Sequence, residues 1–264
     1  MHLQILGSGS AGNSALVRAG ECHLLLDAGL PIRTLFQRLE DARVAPDRIG
    51  HVALTHGHLD HARSAGSFAK KTRAKVHCCE RLMANASLRR APALSTLALG
   101  SPVSLFDPRG PRGRDTLELH SIPIPHDADP TVAFRVEHSG RVAVLVTDMG
   151  HPDQHAARLL AGAHLLVLEF NHDREMLESG PYEPSLKRRI AGPRGHLSNE
   201  EAAEMLCHLA GPELHTLVLA HLSEVNNTPE LALAAAQDRL AHLGLDHVRV
   251  LVAEQDRVGP NLEV

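Results

Sequence analysis

The sequence predicts a single α/β or α+β domain covering residues 1–264, on three observations. Short apolar runs alternate with amphipathic, helix-like segments to the end of the chain. No Gly/Ser linker, internal repeat or low-complexity tract interrupts them. A hydrophobic content of 43% over 264 residues supplies enough apolar mass for a sizeable core. The pattern alone admits two sheets with helices outside, and it equally admits one doubly wound parallel sheet.

Taken in order, strand-like runs fall at residues 3–6, 15–18, 23–26, 52–55, 103–106, 116–124, 132–137, 142–147, 165–170, 216–220 and 248–252. Helical periodicity falls at 32–41, 61–70, 81–89, 154–160, 186–190, 199–209 and 230–242. The helix from residue 199 has a capping box, Ser198-x-x-Glu201, ahead of its apolar stripe, and Gly211-Pro212 stops it.

Composition excludes several classes. A charged fraction of 22% and a net charge of −4 rule out disorder as the main theme. No run of about 18 apolar residues spans a membrane, and Met1-His2-Leu3-Gln4-Ile5-Leu6 has no basic region leading a long apolar stretch. Cys22, Cys78, Cys79 and Cys207 show no C-x-x-C spacing and no disulfide framework, so reduced thiols and a cytoplasmic location are expected. Histidine stands out: 20 residues, beside no Trp, one Tyr and five Phe. Packing does not require so many imidazoles. The excess of Arg over Lys is read as codon usage.

The densest constellation is Thr55-His56-Gly57-His58-Leu59-Asp60-His61, directly after the apolar run 52–54. Neutral imidazole and carboxylate suit zinc, manganese or iron better than calcium or magnesium. In a tight turn His56 and His58 can face one site, while Asp60 and His61, opening a helix, face a second. Further candidates recur where buried strands would surface: His126, Asp148 and His221. A solvated His-rich loop would not need these recurrences.

HxHxDH followed by a strand-end His, a strand-end Asp and a late strand-end His resembles the metallo-β-lactamase superfamily, in the right order through most of the chain. Leu24-Leu25-Leu26-Asp27-Ala28-Gly29 resembles its early aspartate motif, in which the Asp braces the His loop. The resemblance implies a four-layer αββα sandwich with a two-metal site along one edge of the sheets. It implies that His56, His58 and His126 hold one ion, that Asp60, His61 and His221 hold the other, and that Asp148 bridges. Gly57 departs from the family's frequent Glu, at a position that is not a ligand. Five strings in order resemble the narrower YycJ (WalJ) group, bacterial 5′-to-3′ exonucleases linked to DNA repair. They are Gly7-Ser8-Gly9-Ser10-Ala11-Gly12-Asn13-Ser14, Asn171-His172-Asp173, Gly180-Pro181-Tyr182, Gly195-His196-Leu197-Ser198-Asn199, and the run from His221 to Glu230.

His196 precedes a capped helix, where free N–H groups welcome phosphate; contact with the scissile phosphate or protonation of the leaving group is expected. The alternative is a His that only braces its loop. His172 is a further candidate at the site, against a structural hydrogen bond. Asp60, His196 and His172 are thus the catalytic candidates; Ser10, Asn13, Ser198, Asn199 and Arg194 are the substrate-binding ones. For Asn13 and Ser14 a purely structural turn is equally open. Basic groups at 70–75, Arg89-Arg90, 109–114 and 187–194 could line a nucleic-acid path, but only the last, which leads into His196, outweighs a solvated face.

Two carboxylates against two divalent ions (Mn or Zn) leave such a cleft positive although the chain is acidic, so a phosphodiester fits. The expected activity is a 5′-to-3′ exodeoxyribonuclease acting in DNA repair, with a metal-bridging hydroxide as nucleophile. DNA is the expected partner and mismatch-repair proteins are candidate ones. The rivals are RNA processing or hydrolysis of a small cyclic phosphodiester, a glyoxalase II-type thioesterase, and a non-catalytic binding protein. Six aromatic residues offer few stacking platforms, so recognition should rest on backbone phosphates and the strand end.

Overall fold

The computed structural model describes residues 1–107 and 115–264; the basic group at 109–114 lies outside the described residues. The chain divides into two compact units. The first comprises Met1–Ser121, Val136–Arg141 and Glu254–Val264, and the second Ile122–Arg135 and Val142–Ala253.

The first unit opens with strands β1 (His2–Gly7), β2 (Ser14–Ala19) and β3 (Cys22–Leu26), which pair antiparallel in sequence order. Helix α1 (Ile32–Asp41) buries Leu35 and Leu39 and leads to β4 (His51–Ala53), parallel to β3. The predicted helix at 61–70 is two helices, α2 (Leu59–Ala62) and α3 (Ala65–Thr72). The break falls at Ser64, whose hydroxyl donates to Leu30 O (2.6 Å) and whose amide donates to Ala28 O (2.9 Å). Strands β5 (Lys75–Cys78) and β6 (Leu94–Thr96) extend the parallel run; they were not anticipated, being too short for a periodic signal. The helix predicted at 81–89 is two 3-10 turns, Glu80–Ala84 and Ala86–Leu88. Asn85 between them is extended (ψ 136°) and its side chain accepts from Ser87 N, so no continuous helix forms. Strands β7 (Val103–Leu105) and β8 (Leu117–Pro123) pair antiparallel.

The chain next forms β9 (Val132–His138) and β10 (Arg141–Val146), whose residues 136–141 belong to the first unit, and then α4 (Gln154–Leu160), β11 (Leu165–Glu169) and α5 (Arg174–Ser179) of the second. It continues with α6 (Pro184–Ile190), α7 (Asn199–Leu209), β12 (Thr216–Ala220), α8 (Pro229–His242) and β13 (Arg249–Val252). Strands β10 to β13 run parallel. The aliphatic runs of β10, β11 and β12 are buried on both faces, as interior parallel strands are, in a core that includes Val144, Leu166, Leu168, Met205, Leu206, Leu217 and Leu219. The chain ends in β14 (Leu262–Glu263), antiparallel to β1.

The sheet orders are β14-β1-β2-β3-β4-β5-β6 and β13-β12-β11-β10-β9-β8-β7. Two mixed sheets with helices therefore form, and the single doubly wound sheet that the pattern admitted does not. No helix among the described residues is long and apolar enough to cross a membrane.

Candidate metal centre

Parallel strands present functional groups just beyond their carboxyl ends, and both units use that edge. In the first unit Asp27 follows β3 directly and turns into the left-handed region at φ 58°. That conformation disfavours a residue with a Cβ, and here it aims a carboxylate at the His loop after β4. Asp27 Oδ1 accepts from Thr55 N (2.8 Å), and Oδ2 pairs with Thr55 Oγ1 (2.8 Å) and His61 Nδ1 (2.7 Å). The Thr55 hydroxyl, donating to Asp27, can accept from His56 Nδ1 at 3.0 Å. Asn13 Nδ2 lies 3.0 Å from His61 Nε2, and Asn13 N donates to Asp60 O (2.7 Å). With Nδ1–H directed at an acceptor, His56 and His61 each carry a basic Nε2, that of His61 facing the Asn13 amide, and an acceptor behind the ring is the arrangement that tunes metal-ligating histidines.

The same loop gathers the other donors of this unit. The His56 ring is 4.7 Å from that of His58 and 4.2 Å from that of His61. Asp60 Oδ2 lies 3.5 Å from His61 Nε2. Gly29 makes the close approach of the Asp27 loop possible: a Cβ there would sit 1.5 Å from Asp60 O. At Gly57, Asn85 Nδ2 and Leu82 Cδ2 occupy the space at 2.8 and 2.9 Å from a Cβ, and Asn85 Nδ2 donates to Gly57 O.

In the second unit Asp148 and His221 follow β10 and β12, again with positive φ, 60° and 56°. Glu169 closes β11 fully buried and holds both oxygens on donors. Oε1 pairs with His196 Nδ1 (2.8 Å) and His221 Nδ1 (2.9 Å), while Oε2 accepts from Met149 N (3.0 Å) and Leu197 N (3.3 Å). Burial alone would raise this carboxyl, but His196 and His221 hold it down to about 2. Burial pulls the His196 imidazole down, and the charges of Glu169 and Asp148 more than offset it, so its pKa is raised. Asp148 Oδ1 lies 3.5 Å from His196 Nδ1, 3.7 Å from His221 Nδ1 and 3.8 Å from His126 Nε2. His126 Nδ1 donates to Gly195 O at 3.0 Å. Asp148, Glu169, His196 and His221 each bring one donor atom within 4.8 Å of the others. Imidazole nitrogens and carboxylate oxygens, oriented through buried acceptors, fit a divalent transition metal.

Glu169 was missed in the sequence, although a carboxylate closing the run Leu-Leu-Val-Leu-Glu is a signal: no buried strand carries one without partners. The other anticipated residues are placed as follows. Ser198 is buried and caps α7, accepting from Glu201 N while Glu201 returns a bond to Ser198 N. Asn199 forms a reciprocal amide pair with Asn227 (3.0 and 2.9 Å). Ser10 and Arg194 are exposed. His172 is 1% exposed, and its carbonyl accepts from Asn199 N.

A family model described as "Beta-lactamase superfamily domain" matches residues 23–222. The chain is similar to Exodeoxyribonuclease YycJ of Bacillus anthracis, 31% identical over 247 residues, covering 92% of this chain and 90% of the relative. It is equally similar, at 31% over 241 residues, to Exodeoxyribonuclease WalJ of Streptococcus pneumoniae, covering 91% and 88%. Among solved structures, Zn(2+)-bound PqqB from Methylobacterium extorquens matches with a TM-score of 0.69 at 17% identity, over 100% of both chains.

Proposed function

Because this chain belongs to the metallo-β-lactamase superfamily, and is a hydrolase of that fold with candidate metal-binding residues, we propose that it cleaves nucleic acid as a 5′-to-3′ exodeoxyribonuclease. The observation that carries the reading is the buried Glu169 clamping His196 and His221, in a chain 31% identical to a protein named an exodeoxyribonuclease. In this reading His56, His58 and His126 would hold one divalent ion and Asp60, His61 and His221 a second, with Asp148 as a further ligand. Bound there, the ions would supply Lewis acidity that lowers the pKa of water and stabilises charge on a phosphoryl oxygen.

The chain's own residues do the rest. Glu169 fixes the His221 ring with Nδ1–H inward. It also favours the protonated form of His196, whose Nε2–H then serves the leaving oxygen. Asp60, partly exposed beside His61, takes the proton released on the nucleophile side. Ser10 and Arg194, both exposed, are assigned to the path of the strand. A cytoplasmic DNA-repair setting, with mismatch-repair proteins as partners and Mn or Zn as the ion, belongs to the same proposal.

The test is a substrate panel: 5′-labelled single- and double-stranded DNA, the matching RNA, bis(p-nitrophenyl) phosphate and a glutathione thioester, with Mn2+ or Zn2+ and after chelation. Mononucleotide release from the DNA 5′ end is expected, with little base preference and a rate that falls steeply with salt. Preference for RNA would move the substrate class, and turnover of the thioester alone would remove the nuclease reading.

A further inference from the structure

The string Gly7-Ser8-Gly9-Ser10-Ala11-Gly12-Asn13-Ser14 joins β1 to β2 within the first unit. A glycine-rich turn can cradle a phosphate when its amides point outward and are free. Here they are spent inside the chain. Ser8 N donates to Glu254 O, Gly9 N to Asn13 Oδ1, Ala11 N to Gln255 Oε1, Gly12 N to Gly9 O and Asn13 N to Asp60 O. Two amide side chains, Asn13 and Gln255, supply much of this pairing.

From within the turn, Asn13 bonds both polar groups of Gly9: Oδ1 accepts from Gly9 N (2.9 Å) and Nδ2 donates to Gly9 O (3.1 Å). From the other end of the chain, Gln255 takes the next pair: Oε1 accepts from Ala11 N (2.8 Å) and Nε2 donates to Gly12 O (3.1 Å). A primary amide offers an acceptor and a donor side by side, and these two partners fix which way round it lies. The glycines admit the clasp. A Cβ on Gly9 would sit 2.5 Å from Gln255 Oε1, and one on Gly12 would sit 2.8 Å from the Gly29–Leu30 backbone. The turn is thus packed between Gln255 and the loop that follows Asp27. Gln255 is carried by a segment pinned to β1: Gly259 N donates to Ile5 O (2.9 Å), Gln4 Nε2 donates to Gly259 O (3.0 Å), and β14 pairs with β1.

What the clasp secures is Asn13. Its N–H donates to Asp60 O (2.7 Å), its carbonyl accepts from Gly29 N (3.0 Å), and its Nδ2 lies 3.0 Å from His61 Nε2. We infer that Gln255 is a positioning residue for the metal centre, acting through Asn13 on the backbone of Asp60 and the ring of His61. The inference rests on the reading above in which Asp60 and His61 are metal ligands. Removing the Gln255 amide leaves Ala11 N and Gly12 O to water and frees the outer side of the turn. Asn13 then keeps its bonds to Gly9, but on a loop that is no longer fixed against the ligands.

Titration of the full-length protein with Co2+ against a chromophoric chelator tests this, together with the visible absorption of the Co2+-loaded chain, which reports ligand geometry. Gln255→Met keeps the length of the side chain and loses both bonds. With its fold intact by circular dichroism, its Co2+ affinity should fall by about 10-fold, the lower end of what losing a partner behind a metal ligand costs, and its absorption band should shift. In an Asn13→Ala background the same substitution should change neither readout further, because Gln255 acts through Asn13. Asn261→Ala releases Arg18 from the same segment and should leave both readouts as in the wild type, whatever it costs in thermal stability. Wild-type Co2+ affinity and spectrum in Gln255→Met would overturn the inference. So would additive losses in the double variant, or a loss in Asn261→Ala equal to that in Gln255→Met, which would make the segment's role one of stability alone. None of these readouts needs a substrate. A chain that passes them yet cleaves no DNA loses only the exonuclease reading, and one that cleaves DNA yet fails them loses only the role of Gln255.

Discussion

Replacing Glu169 by Gln changes one atom at the junction of two imidazoles and two backbone amides. The wild-type carboxylate accepts from His196, His221, Met149 N and Leu197 N. A glutamine can accept on one side only. With its NH2 turned toward Met149 N and Leu197 N, two buried amides lose their acceptor, at about 1–3 kcal/mol each. The opposite orientation is therefore favoured, with the NH2 toward the two Nδ1 atoms. Both imidazoles must then turn Nδ1 into an acceptor and carry their proton on Nε2. His221 can no longer offer Nε2 to a metal, and His196 loses the negative charge that favours its protonated form. Altering an outer partner of this kind typically costs about 10–100-fold in metal affinity or activity. Glu169→Gln should thus keep its fold by circular dichroism and lose metal affinity by that factor in a competition titration. Turnover on 5′-labelled DNA should stay at least tenfold down even at saturating metal. Glu169→Ala, which unpairs both amides and opens a cavity, should be less stable by roughly 3–6 kcal/mol. Wild-type metal affinity and turnover in Glu169→Gln would refute the claim that this carboxylate sets the two histidine tautomers.

Elemental analysis of active protein should find two divalent ions per chain, and chelation should abolish activity; one ion or none removes the two-metal assignment. His196→Ala should retain the ions and lower turnover on DNA by about 10²-fold, with a smaller loss on a p-nitrophenyl phosphodiester, whose leaving group departs unprotonated. Equal losses on both would make His196 a charge stabiliser and not an acid. Gly29→Ala forces a Cβ into the Asp60 carbonyl, so denaturant titration should show a loss of about 1–3 kcal/mol or more, together with weaker metal binding through the shifted Asp60-His61 backbone. His77, buried against His51 (3.0 Å), is pushed down to about 3 by burial, from an ordinary 6.5. The unfolded chain then binds a proton that the native one refuses, so stability is level above pH 6.5 and declines as pH falls toward 3. Between pH 6.5 and 5.5 this group should cost about 1 kcal/mol. A His77→Gln variant with an undiminished acid slope would discount it.

Much of this was written in the order of residues. Apolar runs ending in His, Asp or His marked β4, β10 and β12 and the groups beyond them, because a strand's last buried residue hands the chain to the sheet edge. The capping box at Ser198 was readable because both partners are three residues apart. Short elements escaped: β5 and β6, of four and three residues, are too brief to show a period, and the 81–89 segment broke because Asn85 prefers to cap.

What the sequence determined by itself was the donor inventory and its spacing, since HxHxDH places four candidate ligands within six residues whatever surrounds them. Only the tertiary structure decided how those donors are aimed. The left-handed turns at Asp27, Asp148 and His221, the contact of Gly29 with Asp60 and the Glu169 clamp across His196 and His221 join residues from 27 to 52 positions apart. Long-range pairing of this kind leaves no local period or motif. It is imposed by sheet register, which brings the ends of successive parallel strands side by side and buries the Glu169 carboxylate among two imidazoles and two backbone amides.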